Sequence, residues 1–403
     1  LPPADAIVNP NLIGDAFPSK MLAGVGVMFY VLLALRRRLR EAGYFADAMP
    51  DLSVLLDLVA VGTVADLVPL DANNRALVGA GLRRLRAGQG CAGLNALVDI
   101  SGSDAASLNC TDIGFRIAPR LNAAGRLEDM SLGIECLLTD DATQARDIAQ
   151  MLDGINAERR GLQQNMVEDA EAVLAGIELD GALPAALCLF DAQWHPGVIG
   201  LVASKLKEKA HRPTIAFAPA EPGSAVLRGS ARSIPGFHIR DALASVNAAH
   251  PGLIDRFGGH AMAAGLSLRH EVLPLFESAF RGYAAAMLDA ALLQSEVLSD
   301  GELAAEEFDR THAEALRDGG PWGQGYPEPL FDGHFDVLGW RVVGERHLKL
   351  ELALGTQRLN AIHFGGWDGG TPPPRIRIAY RLEPDDYRGG RAIQLVVVHR
   401  QVV

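Results

Sequence analysis

Ser230 and Arg232, in LRGSARSIPGFHIRDAL (Leu227–Leu243), stand two residues apart. In an extended chain that spacing puts a hydroxyl and a guanidinium on one face, a pairing suited to clamping a terminal phosphate. A serine nucleophile fits less well, because no base is paired with Ser230 in the sequence. In RFGGHAMAAGLSL (Arg256–Leu268), Gly258 and Gly259 remove side chains where a ligand backbone could approach, His260 follows, and Ala263-Ala264-Gly265 keep the facing surface small. A tight turn with a capped histidine would use the same residues. In WHPGVIGLVASKL (Trp194–Leu206), Gly197 and Gly200 open a helix whose free N–H groups can hold an anion; close helix–strand packing is the other reading. In FRIAPRLNAAGRLEDM (Phe115–Met130), Arg116, Arg120 and Arg126 flank a small-residue turn, Asn122-Ala123-Ala124-Gly125, suited to phosphate or sugar contacts or to an arginine network with Glu128 and Asp129. Finally, Asp66 in DLVAVGTVADLVPLDANNR (Asp57–Arg75) follows an apolar helical run, at the mouth of a core element. It is a candidate hard-metal ligand, or simply a cap or turn residue.

The elements that must position these residues are read from periodicity. Ala6–Pro10 looks like a strand end, and helices are expected at about Ser19–Ala42, Leu52–Val64, Arg75–Arg86 and Asp112–Pro119. Met21–Leu35 is fifteen apolar or small residues, short of the roughly 20 a membrane span needs, so a buried core helix capped by Ser19 is expected. Residues 141–176 form one proline-free helix with an apolar stripe that includes Ile148, Leu152, Val173 and Leu174. Strands at Ala185–Asp191 and Thr214–Pro219 alternate with a helix at Val198–Lys209, giving an α/β module over about 184–287. The last 110 or so residues hold five β-rich runs, which suggest a small barrel of the oligonucleotide-binding (OB) type.

The net charge of −12 argues at first against a nucleic-acid partner, but its distribution does not. Residues 128–190 and 271–332 carry −10 each, while 1–127, 191–270 and 333–403 carry +1, +4 and +3. The acid therefore sits in two connecting stretches, and phosphate binding depends on the local field. With 49% hydrophobic residues the chain is a folded globular protein, not a disordered chain or a disulfide scaffold. The four cysteines form no C-x-x-C pair and suit lone thiols in a reducing cytoplasm.

Taken together, PADAIVNPN, FPSKMLAGVGVMFY, GTVADLVPLDANNR, PRLNAAGRLEDMS, WHPGVIGLVASKLKE, GSARS, FGGHAMAAGLSL, GPWGQGYPEPLFDG and VGERHLK closely resemble the bacterial single-strand-specific 5′→3′ DNA exonucleases of the DHH phosphoesterase family, in family order over essentially the whole chain. The resemblance implies an α/β protein: a partial DHH domain (1–140), a connecting helix (141–176), a DHH-associated domain (177–287) and an OB-type barrel (295–403). It also implies site residues. Asp66 would be a metal-ligating, catalytic aspartate. Ser230 and Arg232 would hold the 5′-phosphate, and Gly258, Gly259 and His260 would face the substrate and the scissile region. Asn122 and Arg126 would lie near the DNA path. Trp340 and Tyr380 are weaker candidates for base stacking in the barrel. The implied cofactor is Mn²⁺ or Mg²⁺. The implied partners are single-stranded DNA with a 5′ end, a single-strand-binding protein and a recombination helicase, with no membrane.

The family places its other metal ligands, including an Asp-His-His triplet, upstream of PADAIVNPN, and all eleven histidines here lie at or after His195. A two-metal hydrolase needs several ligands per ion, so this chain is expected to keep substrate-binding parts and be inactive alone. The alternatives are a non-catalytic single-strand-binding fragment, and a DHH-family phosphodiesterase of oligonucleotides or cyclic dinucleotides. The β-rich C-terminal module argues against the latter.

Overall fold

The computed structural model describes residues 3–45, 48–180, 183–385 and 390–402, which form two compact units. One comprises Leu1–Ala118 and Val297–Val403, the other Pro119–Glu296.

In the first unit, helices α1 (Gly24–Glu41), α2 (Leu56–Ala65), α3 (Ala72–Arg86) and α4 (Ala92–Ile100) precede a single turn, α5 (Cys110–Asp112). Three expectations change here. Ala6–Pro10 is not in a strand, since no neighbouring strand accepts it. Ser19 caps nothing: α1 starts after Ala23, and the Ser19 hydroxyl instead donates to Asp71 Oδ2 at 2.7 Å. Asp71 Oδ1 in turn accepts Asn74 N–H at 2.8 Å and caps α3. Helix α1 buries only Gly26 and Phe29, because it packs through one face on Val59 and Leu77 and leaves Met28 and Leu35 exposed. Among the described residues no helix is long and apolar enough to cross a membrane.

The C-terminal part of this unit adds the short helix Arg310–Asp318 and five strands. The strands Phe331–Val343, His347–Leu354, Gln357–His363, Arg375–Pro384 and Ile393–Val402 close into a barrel. Four of the five pairings are antiparallel, and the last strand closes in parallel on Gln357–His363. Closure leaves no free sheet edge. The GPWGQGYPEP segment ties the barrel side to the loop after α2. Leu70 N–H donates to Gln324 C=O at 2.7 Å, and the Arg75 guanidinium lies 3.7 Å over the Tyr326 ring, itself stacked on Trp322.

In the second unit, α6 (Ala118–Leu127) and α7 (Ser131–Leu138) lead into α8 (Ala142–Asp180), a single helix of 39 residues. The side chains of Val173 and Leu174, counted in its apolar stripe, lie outside the described residues. Helix α6 corrects the expected turn at Asn122–Gly125. A π-helical segment, Ile113–Ile117, comes just before Pro119, which has no N–H to donate, and regular helix continues through the small residues.

The sheet of this unit runs β1 (Leu187–Phe190), β2 (Thr214–Pro219), β3 (Val226–Arg232), β5 (Ala263–Arg269), β4 (Arg256–Gly259). Only β1 and β2 are parallel, joined through α9 (Ile199–Ala210). Helix α9 covers Leu187, Leu189, Ala216 and Ala218 on one face. Helices α10 (Ile239–Ala249) and α11 (Leu273–Met287) bury Phe217, Leu227 and Leu266 on the other. Strand β4 was not foreseen, because its Gly258-Gly259 pair reads as a turn rather than a strand.

Candidate nucleic-acid interface

Alternation along β3 fixes the first contact. Leu227, Gly229 and Ala231 go into the core, so Ser230 and Arg232 share the other face, and Arg232 Nη1 donates to Ser230 Oγ at 3.0 Å. The guanidinium is pinned further. Its Nε donates to Ser204 Oγ at 3.1 Å, its Nη1 also reaches Ala231 C=O at 2.9 Å, and Ser204 donates to Gly200 C=O at 3.0 Å. Ser230 Oγ accepts from Arg232, which leaves its own proton free to donate.

The start of α9 lies directly against this pair. A Cβ on Gly200 would stand 2.8 Å from Arg232 Nη2 and 3.0 Å from Ser230 Oγ. Glycine here is therefore a matter of space. It lets the guanidinium and the hydroxyl converge on the N-terminal end of α9, where Leu201 and Val202 N–H already donate to Val198 C=O and the helix presents its positive end. The turn into α9 is set by His195, whose Nδ1 accepts Gly197 N–H at 3.1 Å.

Arg126 completes the cluster. A Cβ on Gly197 would lie 2.3 Å from the Arg126 carbonyl, and Arg126 Nη1 reaches Gly197 C=O at 3.4 Å. Burial, and after it the charge of Arg126, holds the Arg232 guanidinium below its ordinary pKa; the same two causes lead for Arg159, which is bonded to Asn156 and Gln163. The three arginines of FRIAPRLNAAGR thus separate. Arg116 and Arg120 pair with Asp112 and Asp153. Arg126 has no carboxylate partner among the described residues, and Asp129 is taken by Ser131. Asn122 is exposed one turn before Arg126 on α6. Cations crowded together with donors and no counter-charge make a cradle for a multiply charged anion.

Gly258 and Gly259 lie in the same sheet. Gly258 pairs with Gly265, which pairs with Ser230, so one row across three strands carries a single hydroxyl above two bare glycines. Gly259 has φ +145°, and the turn closes when His260 N–H donates to Ala263 C=O at 2.8 Å, leaving the His260 side chain exposed.

Two sequence candidates fare differently. Tyr380 is fully buried among Phe308, Phe331 and Phe335 and cannot stack on a base; its phenol is pushed above its ordinary pKa, mainly by burial. Barrel closure turns it inward, whereas Trp340 keeps 41% of its surface exposed. Asp66 is an exposed residue at the C-terminal end of α2, followed by Leu67 at φ +53°. Among the described residues no three His, Cys, Asp or Glu side chains group so as to hold a metal ion. A single exposed carboxylate does not fit a hydrolytic metal centre, so no step is derived through one. Sequence reasoning missed Ser204 and His195 as parts of the cradle; the only signal was their place in the segment that opens α9.

An α/β sheet unit with a cationic, donor-rich cluster, joined in one chain to a closed five-stranded barrel, has the domain types of the DHH-associated nucleic-acid enzymes. Residues 183–286 match the DHHA1 domain, and residues 299–399 match the RecJ OB domain. The chain is 50% identical to the single-stranded-DNA-specific exonuclease RecJ of Dickeya dadantii, over 99% of this chain and 70% of that protein. It is 48% identical to RecJ of Escherichia coli, over 98% and 70%. The structure of Thermus thermophilus RecJ in complex with Mg²⁺ is similar with a TM-score of 0.80 at 32% identity, covering 98% of this chain and 58% of that one. A Mn²⁺ complex from the same organism is also similar, with a TM-score of 0.78. The chain belongs to the RecJ family of single-stranded-DNA-specific exonucleases.

Proposed function

We propose that this chain recognises the 5′-phosphorylated end of single-stranded DNA and presents it to a 5′→3′ exonuclease centre. The observation that carries this is the Arg232–Ser230 pair held over Gly200 at the start of α9, with Arg126 alongside. A terminal phosphate monoester has the charge and the acceptor oxygens that this donor set lacks. In this reading residues 177–287 are the end-recognition domain, and residues 295–403 are the barrel that grips the strand by charge and by stacking on Trp340. Residues 1–140 and the helix 141–176 belong to and connect the catalytic DHH domain. Asp66 would be one carboxylate of that domain's metal site, which needs further ligands beside it, and His260 faces the scissile region. A single-strand-binding protein that presents such strands and a recombination helicase that exposes 5′ ends fit as partners, in the cytoplasm.

Binding is the readout. The experiment compares the affinity of the 403-residue chain for one oligonucleotide with a 5′-phosphate and with a 5′-hydroxyl. Ser230→Ala with Arg232→Ala is expected to abolish a 5′-phosphate preference of tenfold or more while general strand binding survives. A plain single-strand binder would show no end preference in the unmodified chain, and that result would overturn the reading.

A further inference from the structure

The cradle lies beside α9 on one face of the sheet, and that face continues onto β3, β5 and β4 through exposed residues. Residues two apart on a strand, and residues paired across neighbouring strands, present their side chains on the same side. The face that carries Ser230 therefore continues through Gly265 to Gly258, and in the next row through Arg228, Ser267 and Arg256. On β1 and β2 this side is packed against α9. On β3, β5 and β4 it is open: Arg228, Arg256, Gly258 and Gly265 are all exposed.

The two rows differ in kind. The first is bare backbone beside one hydroxyl. The second holds two guanidinium groups on either side of a serine. Strand spacing puts the Arg228 and Arg256 backbones roughly 10 Å apart, and their row lies roughly 7 Å along the strands from the Ser230 row. Among the described residues neither arginine has a carboxylate partner. Arg269, on the same face, does: Glu271 lies 3.0 Å from it. Two unpaired cations on a small-residue floor, continuous with a phosphate cradle, form a surface for a polyanion rather than for a single ion.

We propose that Arg228 and Arg256 form a second phosphate subsite, which takes a backbone phosphate of the strand whose 5′ end lies in the cradle while the sugar–phosphate chain crosses Gly265 and Gly258. This rests on the end-recognition reading above and adds residues to it. The glycine row lets the chain pass close to the sheet, and the arginines hold it there without reading base sequence.

The test measures strand affinity as a function of salt, using the 403-residue chain with 5′-phosphorylated oligothymidylate and with thymidine 5′-monophosphate. Each phosphate contact to a single strand contributes about 0.7 to the slope of log affinity against log salt. Arg228→Ala with Arg256→Ala removes the contact to one phosphate and is expected to make that slope shallower by about 0.7. Arg228→Lys with Arg256→Lys is expected to restore it, because the charge returns. Monophosphate affinity and the 5′-phosphate preference should stay as in the unmodified chain. An unchanged slope alongside an intact 5′-phosphate preference overturns this proposal alone. Equal loss of monophosphate affinity also overturns it, by merging the arginines with the first subsite. An unmodified chain without any 5′-end preference overturns the cradle reading, and this subsite with it.

Discussion

Gly200→Ala probes the cradle through a single methyl group, with a large effect expected on binding and a smaller one on stability. The added Cβ would lie 2.8 Å from Arg232 Nη2 and 3.0 Å from Ser230 Oγ, inside the roughly 3.5–4.0 Å of comfortable contact. A free arginine would swing away at little cost. Arg232 is held at Ser204, Ser230 and the Ala231 carbonyl, so giving way means losing at least one of these bonds or tilting the fork off the phosphate position. A hydrogen bond to a charged group contributes about 1.5–3 kcal/mol, and about 1.4 kcal/mol is tenfold in affinity. The preference for a 5′-phosphate over a 5′-hydroxyl should therefore fall about tenfold or more. Gly200 also lies in α9, where alanine is the better helix former by up to about 1 kcal/mol, which offsets only part of the lost bond, so thermal stability should fall modestly. Fluorescence anisotropy on the paired oligonucleotides reads the first effect, and thermal melting reads the second. Unchanged end preference in a folded Gly200→Ala chain would refute the idea that space at this position serves the ligand.

Two further outcomes follow from local geometry. Gly259→Ala should destabilise the second unit by about 1–3 kcal/mol in urea titration, because φ is +145° and a Cβ would lie 2.4 Å from Ala263 C=O; Gly258→Ala, which meets open space, should stay near the unmodified value. In the barrel, burial, reinforced by the carboxylate of Glu328 and opposed by Arg381, pushes the Glu383 carboxyl up to about 7. The folded chain then holds a proton between about 4.5 and 7 that the unfolded chain has released, so stability falls as pH rises through that window. Glu383→Gln should remove this fall and melt higher than the unmodified chain at pH 8 but not at pH 4.5; an equal difference at both values would count against the assignment.

Much of this architecture was legible because it is local. The strands Thr214–Pro219, His347–Leu354 and Arg375–Pro384 lie where their apolar patterning places them, and the long helix is visible from its single stripe. Local signals also misled in identifiable ways. Asn122-Ala-Ala-Gly reads as a turn by composition, yet helix hydrogen bonding carries α6 through it. Ser19 has the chemistry of a cap, but Asp71 claims its hydroxyl from 52 residues away. The hydrophobic run of α1 promised burial that one packed face does not supply.

The sequence alone determined that Ser230 and Arg232 share a face, since the period of an extended chain is a property of the backbone. It also marked Gly258-Gly259 and Gly200 as places without side chains. Only the tertiary structure decided what those features face. Arg126, Ser204 and Gly200 meet Arg232 across 28 to 106 residues of chain, because α9 packs on β3 and the turn before it rests on α6. Pattern cannot report such convergence, because it depends on which buried faces find each other. The same holds in the barrel: Tyr380 and Trp340 are both strand aromatics, and closure of the sheet turned one into the core and left the other half in solvent.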